Sequence, residues 1–233
     1  MKKILEFPFG NKQNRHEEIL SFDDEIESIF DEDDEDDDFC EFDEFMEAFA
    51  DAAQGIRMLA LDVDGVLTDG TIYMGNDGEM FKGFNAKDGM GISYAMRNGI
   101  DVCIITGRKS EIVRRRAAEL GITCVLEGVR DKAAALEKIA DSYRLDLEEI
   151  AYVGDDLNDL APMNICGLSF APADAADAVI DMCDFVLIND GGKGAVREAV
   201  DLLLDAQGKL DSVIDSYINS GQGDRQECGF IIY

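Results

Sequence analysis

From Ile56 onward the sequence predicts an α/β fold built on a parallel sheet. Short apolar runs alternate with stretches of helical length, the pattern that parallel strands and their crossover helices produce. Each group of carboxylates, hydroxyls or amines able to do chemistry directly follows one of those runs, and open sheets bind ligands beyond the carboxyl ends of their strands. The size agrees, since 233 residues with 46% hydrophobic content can enclose one sizeable core with appendages.

Residues 1–54 are expected to be an acidic, low-complexity extension, mostly disordered. Acid is dense from Glu17 to Asp51 and nearly continuous from Asp31 to Asp38, so the segment buries too little apolar surface to offset the entropy of ordering. Phe39, Phe42, Phe45, Met46 and Phe49 recur at helical spacing, which allows a short amphipathic helix that docks on a partner or on the main domain; a solubilising tail is the alternative. A net charge of −30 argues against a nucleic-acid partner, which needs clustered Lys and Arg. No run approaches the roughly 20 apolar residues of a membrane helix, and Met1 to Gly10 lacks the apolar stretch of a secretory signal. A cytoplasmic protein without a membrane partner is expected. Cys40, Cys103, Cys124, Cys166, Cys183 and Cys228 form no CxxC pair and have no neighbouring histidine, so they are expected to be reduced and mostly buried. The single histidine, His16, lies in the extension, which leaves acid/base work to carboxylates, lysine or metal-bound water.

In chain order, the first strand is expected over Met58 to Leu61, running into Asp62-Val63-Asp64-Gly65. Two strands follow, Thr71 to Met74 and Glu79 to Phe84, joined by Gly75-Asn76-Asp77-Gly78; this is a strong hairpin signal, and the hairpin leaves the sheet. The alternation then resumes with a helix near Gly89 to Asn98, a strand over Val102 to Ile105, a helix over Glu111 to Leu120 and a strand over Thr123 to Leu126. A helix over Lys132 to Tyr143, a strand over Ile150 to Val153 and a helix over Asp156 to Met163 come next. Strands at Leu168 to Phe170 and Phe185 to Leu187 and a helix over Gly194 to Leu204 complete the pattern.

Four of these strand ends carry candidate chemistry. Asp62 and Asp64, one residue apart, repel each other unless a cation neutralises them, and an all-oxygen ligand set suits a hard ion such as magnesium; two solvated aspartates at a strand end are the alternative. Thr106-Gly107-Arg108 offers a hydroxyl and backbone N–H groups suited to phosphoryl oxygens, although such a turn is common by itself. Lys132 opens a helix and either offsets phosphoryl charge or is a surface lysine. Asp155, Asp156 and Asp159 follow the strand over Ile150 to Val153, and a metal gives so many carboxylates in one turn a reason to be close.

This order of motifs, each at its own strand end, resembles the haloacid dehalogenase superfamily. The resemblance implies a doubly wound, Rossmann-like domain spanning residues 55–211, in which Asp62 attacks phosphorus and forms an aspartyl-phosphate. Asp64 would protonate the leaving group and then activate water, and Mg2+ would be held by Asp62, the backbone carbonyl of Asp64 and Asp155. Thr106 and Lys132 would bind phosphoryl oxygens, with Asp156 and Asp159 orienting the metal's surroundings and Lys132. Too few residues separate Asp64 from Thr106, or Thr106 from Lys132, for the cap domain that many members insert, so the site is expected to be open. Phe84 to Gly89, Ile105 to Lys109, Tyr152 to Asp159 and Gly191 to Glu198, together with the hairpin, resemble the capless branch of 3-deoxy-D-manno-octulosonate 8-phosphate phosphatases. That branch implies a homotetramer assembled through the hairpin (Thr71 to Phe84), a role in supplying lipopolysaccharide, and a sugar-acid pocket lined by Lys82, Asp88, Arg108 and an adjacent subunit's hairpin, with Thr106 and Gly107 also binding substrate; a surface arginine is the alternative for Arg108. A nine-carbon sugar acid phosphate is the alternative substrate, and a non-catalytic scaffold the alternative class. Residues 212–233 form a C-terminal extension beyond the family pattern, and its closing Phe230-Ile231-Ile232-Tyr233 has no assignment.

Overall fold

The computed structural model describes residues 46–220. The expected amphipathic helix falls partly on them: residues 46–55 are helical, while Phe39, Phe42 and Phe45 lie outside the described residues, as do Cys40, Cys228 and most of both extensions. The chain divides into two units, Met1–Asp51 and Ala52–Tyr233, and the second holds every element considered below.

Six parallel strands make one sheet: β1 (Met58–Leu61), β4 (Asp101–Thr106), β5 (Cys124–Glu127), β6 (Ile150–Val153), β7 (Leu168–Ala171) and β8 (Phe185–Val186). Their spatial order is β5-β4-β1-β6-β7-β8. The chain therefore builds outward from β1 in one direction, then crosses over and builds outward in the other, so β1 and β6 flank the point where the order reverses. Register aligns the strand ends there, with Leu61 beside Ile104 on one side and beside Val153 on the other. Strands β1, β6 and β7 are buried along their whole length, which explains why they read as unbroken apolar runs. Alternate residues Met58 and Ala60, Cys103 and Ile105, Ile150 and Tyr152 meet in one cluster on one face, under Leu136 and Ile139.

The helices are α1 (Ala86–Arg97), α2 (Glu111–Leu120), α3 (Lys132–Tyr143), α4 (Leu160–Met163), α5 (Asp177–Ile180), α6 (Ala195–Ala206) and α7 (Leu210–Ser220). Side chains fix the starts of the first three: Asn85 accepts from the Lys87 N–H, Ser110 from Val113 and Asp131 from Ala134. Helix α1 thus begins three residues before the expected Gly89, because the Asn85 cap overrides the glycines inside it. The expected helix over Asp156 to Met163 is a 3-10 turn, Leu157–Asp159, followed by the short α4. Helices α5 and α7 were not expected.

Strands β2 (Tyr73–Gly75) and β3 (Gly78–Phe81) form a separate antiparallel hairpin about Asn76 and Asp77. Only the hairpin and α1 lie between β1 and β4, and only α2 lies between β4 and β5, so neither interval carries a cap domain. Cys103, Cys124 and Cys166 are free thiols, and Cys183 is buried.

Candidate active site

The end of β1 is shaped by a tight turn. The Asp62 N–H donates to the Val153 carbonyl at 3.1 Å, which ties the start of the turn to β6. The Val63 carbonyl then accepts from the N–H groups of Val66, Leu67 and Thr68, coiling residues 63–68 into a compact loop. Gly65 adopts φ +92°, a left-handed value that favours glycine, and a Cβ there would overlap the Asp155 carboxylate. The missing side chain is what lets β1 and β6 bring their carboxylates together.

Asp62 is buried, and the Lys132 ammonium lies 2.9 Å from its Oδ1. Lys132 is the first residue of α3, whose amino end Asp131 caps, and it is only 2% exposed. It also contacts Asp159 Oδ1 at 2.7 Å, the same oxygen that accepts from the Tyr152 hydroxyl at 2.6 Å. Asp159 Oδ2 accepts from the Asp155 N–H at 3.3 Å, so Asp159 anchors both the lysine and the loop after β6. Thr106, at the end of β4, is buried, and its Oγ1 accepts from the Arg108 N–H at 3.3 Å.

Carboxylate oxygens of Asp62, Asp155 and Asp159 lie within 4.8 Å of one another. Two buried carboxylates and a partly buried one facing one ammonium lack positive charge, and the titration of Asp62 and Asp155 reflects it. Burial, then the nearby Asp159, pushes Asp62 up to about 6 despite its contact with Lys132. Burial, then Asp62 and Asp159, pushes Asp155 up to about 8. Burial pulls the Lys132 ammonium down, but Asp62 and Asp159 more than reverse this and hold it above the ordinary lysine value. Asp155 Oδ1 is buried with no hydrogen-bond partner. An orphaned carboxylate oxygen beside two further carboxylates fits a hard divalent cation with oxygen ligands, which would supply the missing charge.

Around this cluster lies a more basic rim. Lys82, from the base of the hairpin, is ion-paired with Asp64 and lies 3.1 Å from Glu79 Oε1; the Arg108 Nε is 3.7 Å from Asp64 Oδ2. The side chain of Asp64 therefore faces Lys82 at the base of the hairpin and Arg108. Gly107 sits between Thr106 and Arg108 on the exposed turn. Asp156 is exposed, and its carboxylate accepts from the Leu157 N–H, capping the 3-10 turn. Asp88, placed by sequence reasoning in the substrate pocket, is instead 1% exposed, with Oδ1 accepting from the Arg197 N–H at 2.8 Å. It is brought neither to the carboxylate cluster nor to the rim, because α1 turns its first-turn acid toward α6. Sequence reasoning missed Tyr152, Glu79 and Ser110, whose hydroxyl donates to Glu79. Tyr152 carried a usable signal, a single hydroxyl within an otherwise aliphatic strand.

A family model of haloacid dehalogenase-like hydrolases matches residues 125–199. The chain is 52% identical over 159 residues to the 3-deoxy-D-manno-octulosonate 8-phosphate phosphatase of Escherichia coli strain K12, covering 68% of this chain and 85% of that protein. Among solved structures it is similar to the phosphatase of the same name from Moraxella catarrhalis, in complex with a magnesium ion, a phosphate ion and a 3-deoxy-D-manno-octulosonate molecule. That likeness has 37% identity and a TM-score of 0.72, over 74% of this chain and 99% of that one. A cobalt-bound phosphatase from Haemophilus influenzae is similar at 42% identity and a TM-score of 0.70, over 73% and 99%.

Proposed function

The chain belongs to the haloacid dehalogenase-like hydrolases, within the family of 3-deoxy-D-manno-octulosonate 8-phosphate phosphatases, and from that membership we propose that it hydrolyses this eight-carbon sugar acid phosphate to the free sugar acid and phosphate with Mg2+. The observation that carries the proposal is the convergence of Asp62, Asp155 and Lys132 at the point where the strand order reverses. Asp62, Asp155 and the backbone carbonyl of Asp64 would hold Mg2+, which when bound neutralises carboxylate and phosphoryl charge.

Asp62 is the nucleophile: its carboxylate oxygen bonds to phosphorus, the ester bond to the sugar oxygen breaks, and the phosphoryl group rests on Asp62 as an acyl phosphate. Lys132 and Thr106 pair with the transferring oxygens, and Asp159 and Tyr152 hold Lys132 in place for that task. Asp64 gives its proton to the departing alkoxide and then takes one from the water that cleaves the acyl phosphate. Its present partners, Lys82 and Arg108, are suited to the carboxylate of a sugar acid. Substrate binding would draw those cations off Asp64, which then takes up a proton from solvent and holds it for the departing alkoxide, so the carboxylate that marks the substrate also prepares the acid. Asp156 supports the loop through its cap, and Asp88 acts away from the substrate.

The hairpin exposes Ile72, Tyr73, Met74, Met80 and Phe81, with Tyr73 and Phe81 stacked at 4.1 Å. An apolar surface of this kind on a protruding element supports self-association, proposed as a homotetramer that lends each open site a neighbour's hairpin. No helix among the described residues is long and apolar enough to cross a membrane, and the proposed location is the cytoplasm, where lipopolysaccharide precursors would be made.

The test is phosphate release from 3-deoxy-D-manno-octulosonate 8-phosphate, with Mg2+ and with a chelator, beside a nine-carbon sugar acid phosphate and an aryl phosphate. Mg2+-dependent turnover that favours the eight-carbon compound by about tenfold or more, some 1.4 kcal/mol of transition-state binding, is expected. Preference for the nine-carbon compound would move the substrate, and silence on all three would overturn the enzyme.

A further inference from the structure

We propose that Asp88 is a positioning residue for the nucleophile turn: its buried carboxylate holds the amino end of α6 and, through the glycine loop that enters α6, fixes the backbone that presents Asp62. The proposal rests on the assignment of Asp62 as nucleophile given above. It starts from an expensive feature, a carboxylate in the first turn of α1 that is 1% exposed and whose Oδ2 has no hydrogen-bond partner. Burial raises its pKa, and the backbone N–H groups of Arg197 and Gly194 work against that rise. The charge thus faces the positive end of α6, where a carboxylate is favoured. Filling space would need no charge at this position, so the contact with the helix end is the reason for it.

What α6 carries at that end makes the contact matter. The Gly192 N–H donates to the Val66 carbonyl at 2.9 Å, inside the nucleophile turn, and the Gly191 N–H donates to Asp174 Oδ1 at 2.8 Å. Asn85, the cap of α1, donates to the Gly192 carbonyl at 3.4 Å. A Cβ on Gly191 would overlap the Gly65 carbonyl, and one on Gly192 would lie 2.6 Å from the Asp69 nitrogen, so the loop is pressed backbone to backbone against residues 65–69. No side chain lies between this loop and the turn to absorb a shift. A shift of the α6 amino end would pass directly into Gly65, the residue whose conformation lets Asp155 approach Asp62.

The experiment compares amide hydrogen exchange and turnover in the full-length protein with Mg2+ present, for wild type, Asp88→Asn and Asp88→Ala. In Asp88→Ala, exchange across residues 63–69 and 191–197 is expected to quicken by about tenfold or more, while α3 keeps wild-type protection. The kcat on the sugar acid phosphate should fall by about tenfold with KM changed by less than about threefold, because the rim that binds the sugar is untouched. Asp88→Asn keeps the Oδ1 acceptor and loses the charge, so it should fall between the other two on both readouts. Wild-type exchange across residues 63–69 in folded Asp88→Ala, or a lowered Tm with kcat intact, would overturn the proposal. If Asp88→Ala does not fold, Asp88→Asn decides: intermediate protection of the turn supports the clamp, and wild-type exchange with wild-type kcat overturns it. If the wild type releases no phosphate, the phosphatase reading falls and the exchange comparison alone still decides the clamp.

Discussion

At the scale of single residues, Asp62 stands in two relationships at once. It belongs with Asp155 to the proposed cation site, and it pairs with Lys132 at 2.9 Å. Asn at this position keeps the shape and the contact with Lys132 but has no anionic oxygen to attack phosphorus. Asp62→Asn is therefore expected to lower kcat by a factor of roughly a thousand or more while Tm holds or rises, since it removes one of three crowded carboxylates. Steady-state kinetics beside calorimetry would check both halves, and appreciable residual turnover would falsify the nucleophile assignment. Gly65 acts by what it lacks. Gly65→Ala puts a methyl where the Asp155 carboxylate sits and forces an L-residue to φ +92°, so the variant should bind Mg2+ about tenfold or more weakly and lose about 1–2 kcal/mol of stability. Titration of Mg2+ by calorimetry reads the first effect, and an unchanged affinity would mean that Asp155 is not a ligand.

At the scale of elements, the hairpin is the part least explained by its own fold. Met74 and Met80 are 60% and 62% exposed on an element that contributes nothing to the sheet core. Changing both to glutamate should leave Tm within a few degrees and break the proposed assembly to smaller species in sedimentation velocity, since a mostly exposed side chain costs little to alter. Unchanged sedimentation would remove the hairpin from the interface. The hairpin also marks what sequence could and could not supply. Its turn was legible because Gly75 to Gly78 is a local signal, and β1 and β6 were legible because burial on both faces leaves unbroken apolar runs. The carboxylate motifs were legible for the same reason: residues 62–64 and 155–159 are neighbours in sequence before they are neighbours in space. The pairings of Lys82 with Asp64, Glu79 with Ser110 and Asp88 with Arg197 were not, because each joins side chains separated by 18 to 109 positions and depends on how whole elements dock. Helix α7 carries a helical period of its own, Leu210, Val213, Ile214, Tyr217 and Ile218, and was missed because the resemblance to the family ends at Asp211, where the helix begins.

At the scale of the whole molecule the issue is charge. Of the 51 acidic residues, 18 fall in residues 1–45, yet at physiological salt fields decay over about 8 Å. Removing residues 1–45 is therefore expected to leave kcat/KM within about twofold at that ionic strength and to raise it only at low salt, where a strongly acidic chain repels an anionic substrate. Turnover measured across a salt series would check this. The buried carboxylates respond differently, because salt does not reach them and pH does. A carboxyl whose folded pKa lies above its unfolded value contributes stability that is complete below the unfolded value and is lost as pH rises through the folded one. Asp62 rises from 3.8 to about 6 and Asp155 from 3.8 to about 8, so without a metal the protein should lose stability steadily as pH climbs to about 8. Ordinary surface carboxylates are already ionised over the upper part of that window and add little slope. Cys124, whose thiol a hydrogen bond from Cys103 draws down to about 7, pushes the other way, but Mg2+ does not touch it. The difference between Mg2+-loaded and chelated protein isolates the cluster. That difference in Tm should widen as pH rises from about 6 to about 8, because a cation binds the ionised carboxylates whose repulsion destabilises the chelated form. A gap independent of pH would mean that Asp62 and Asp155 do not share the ion.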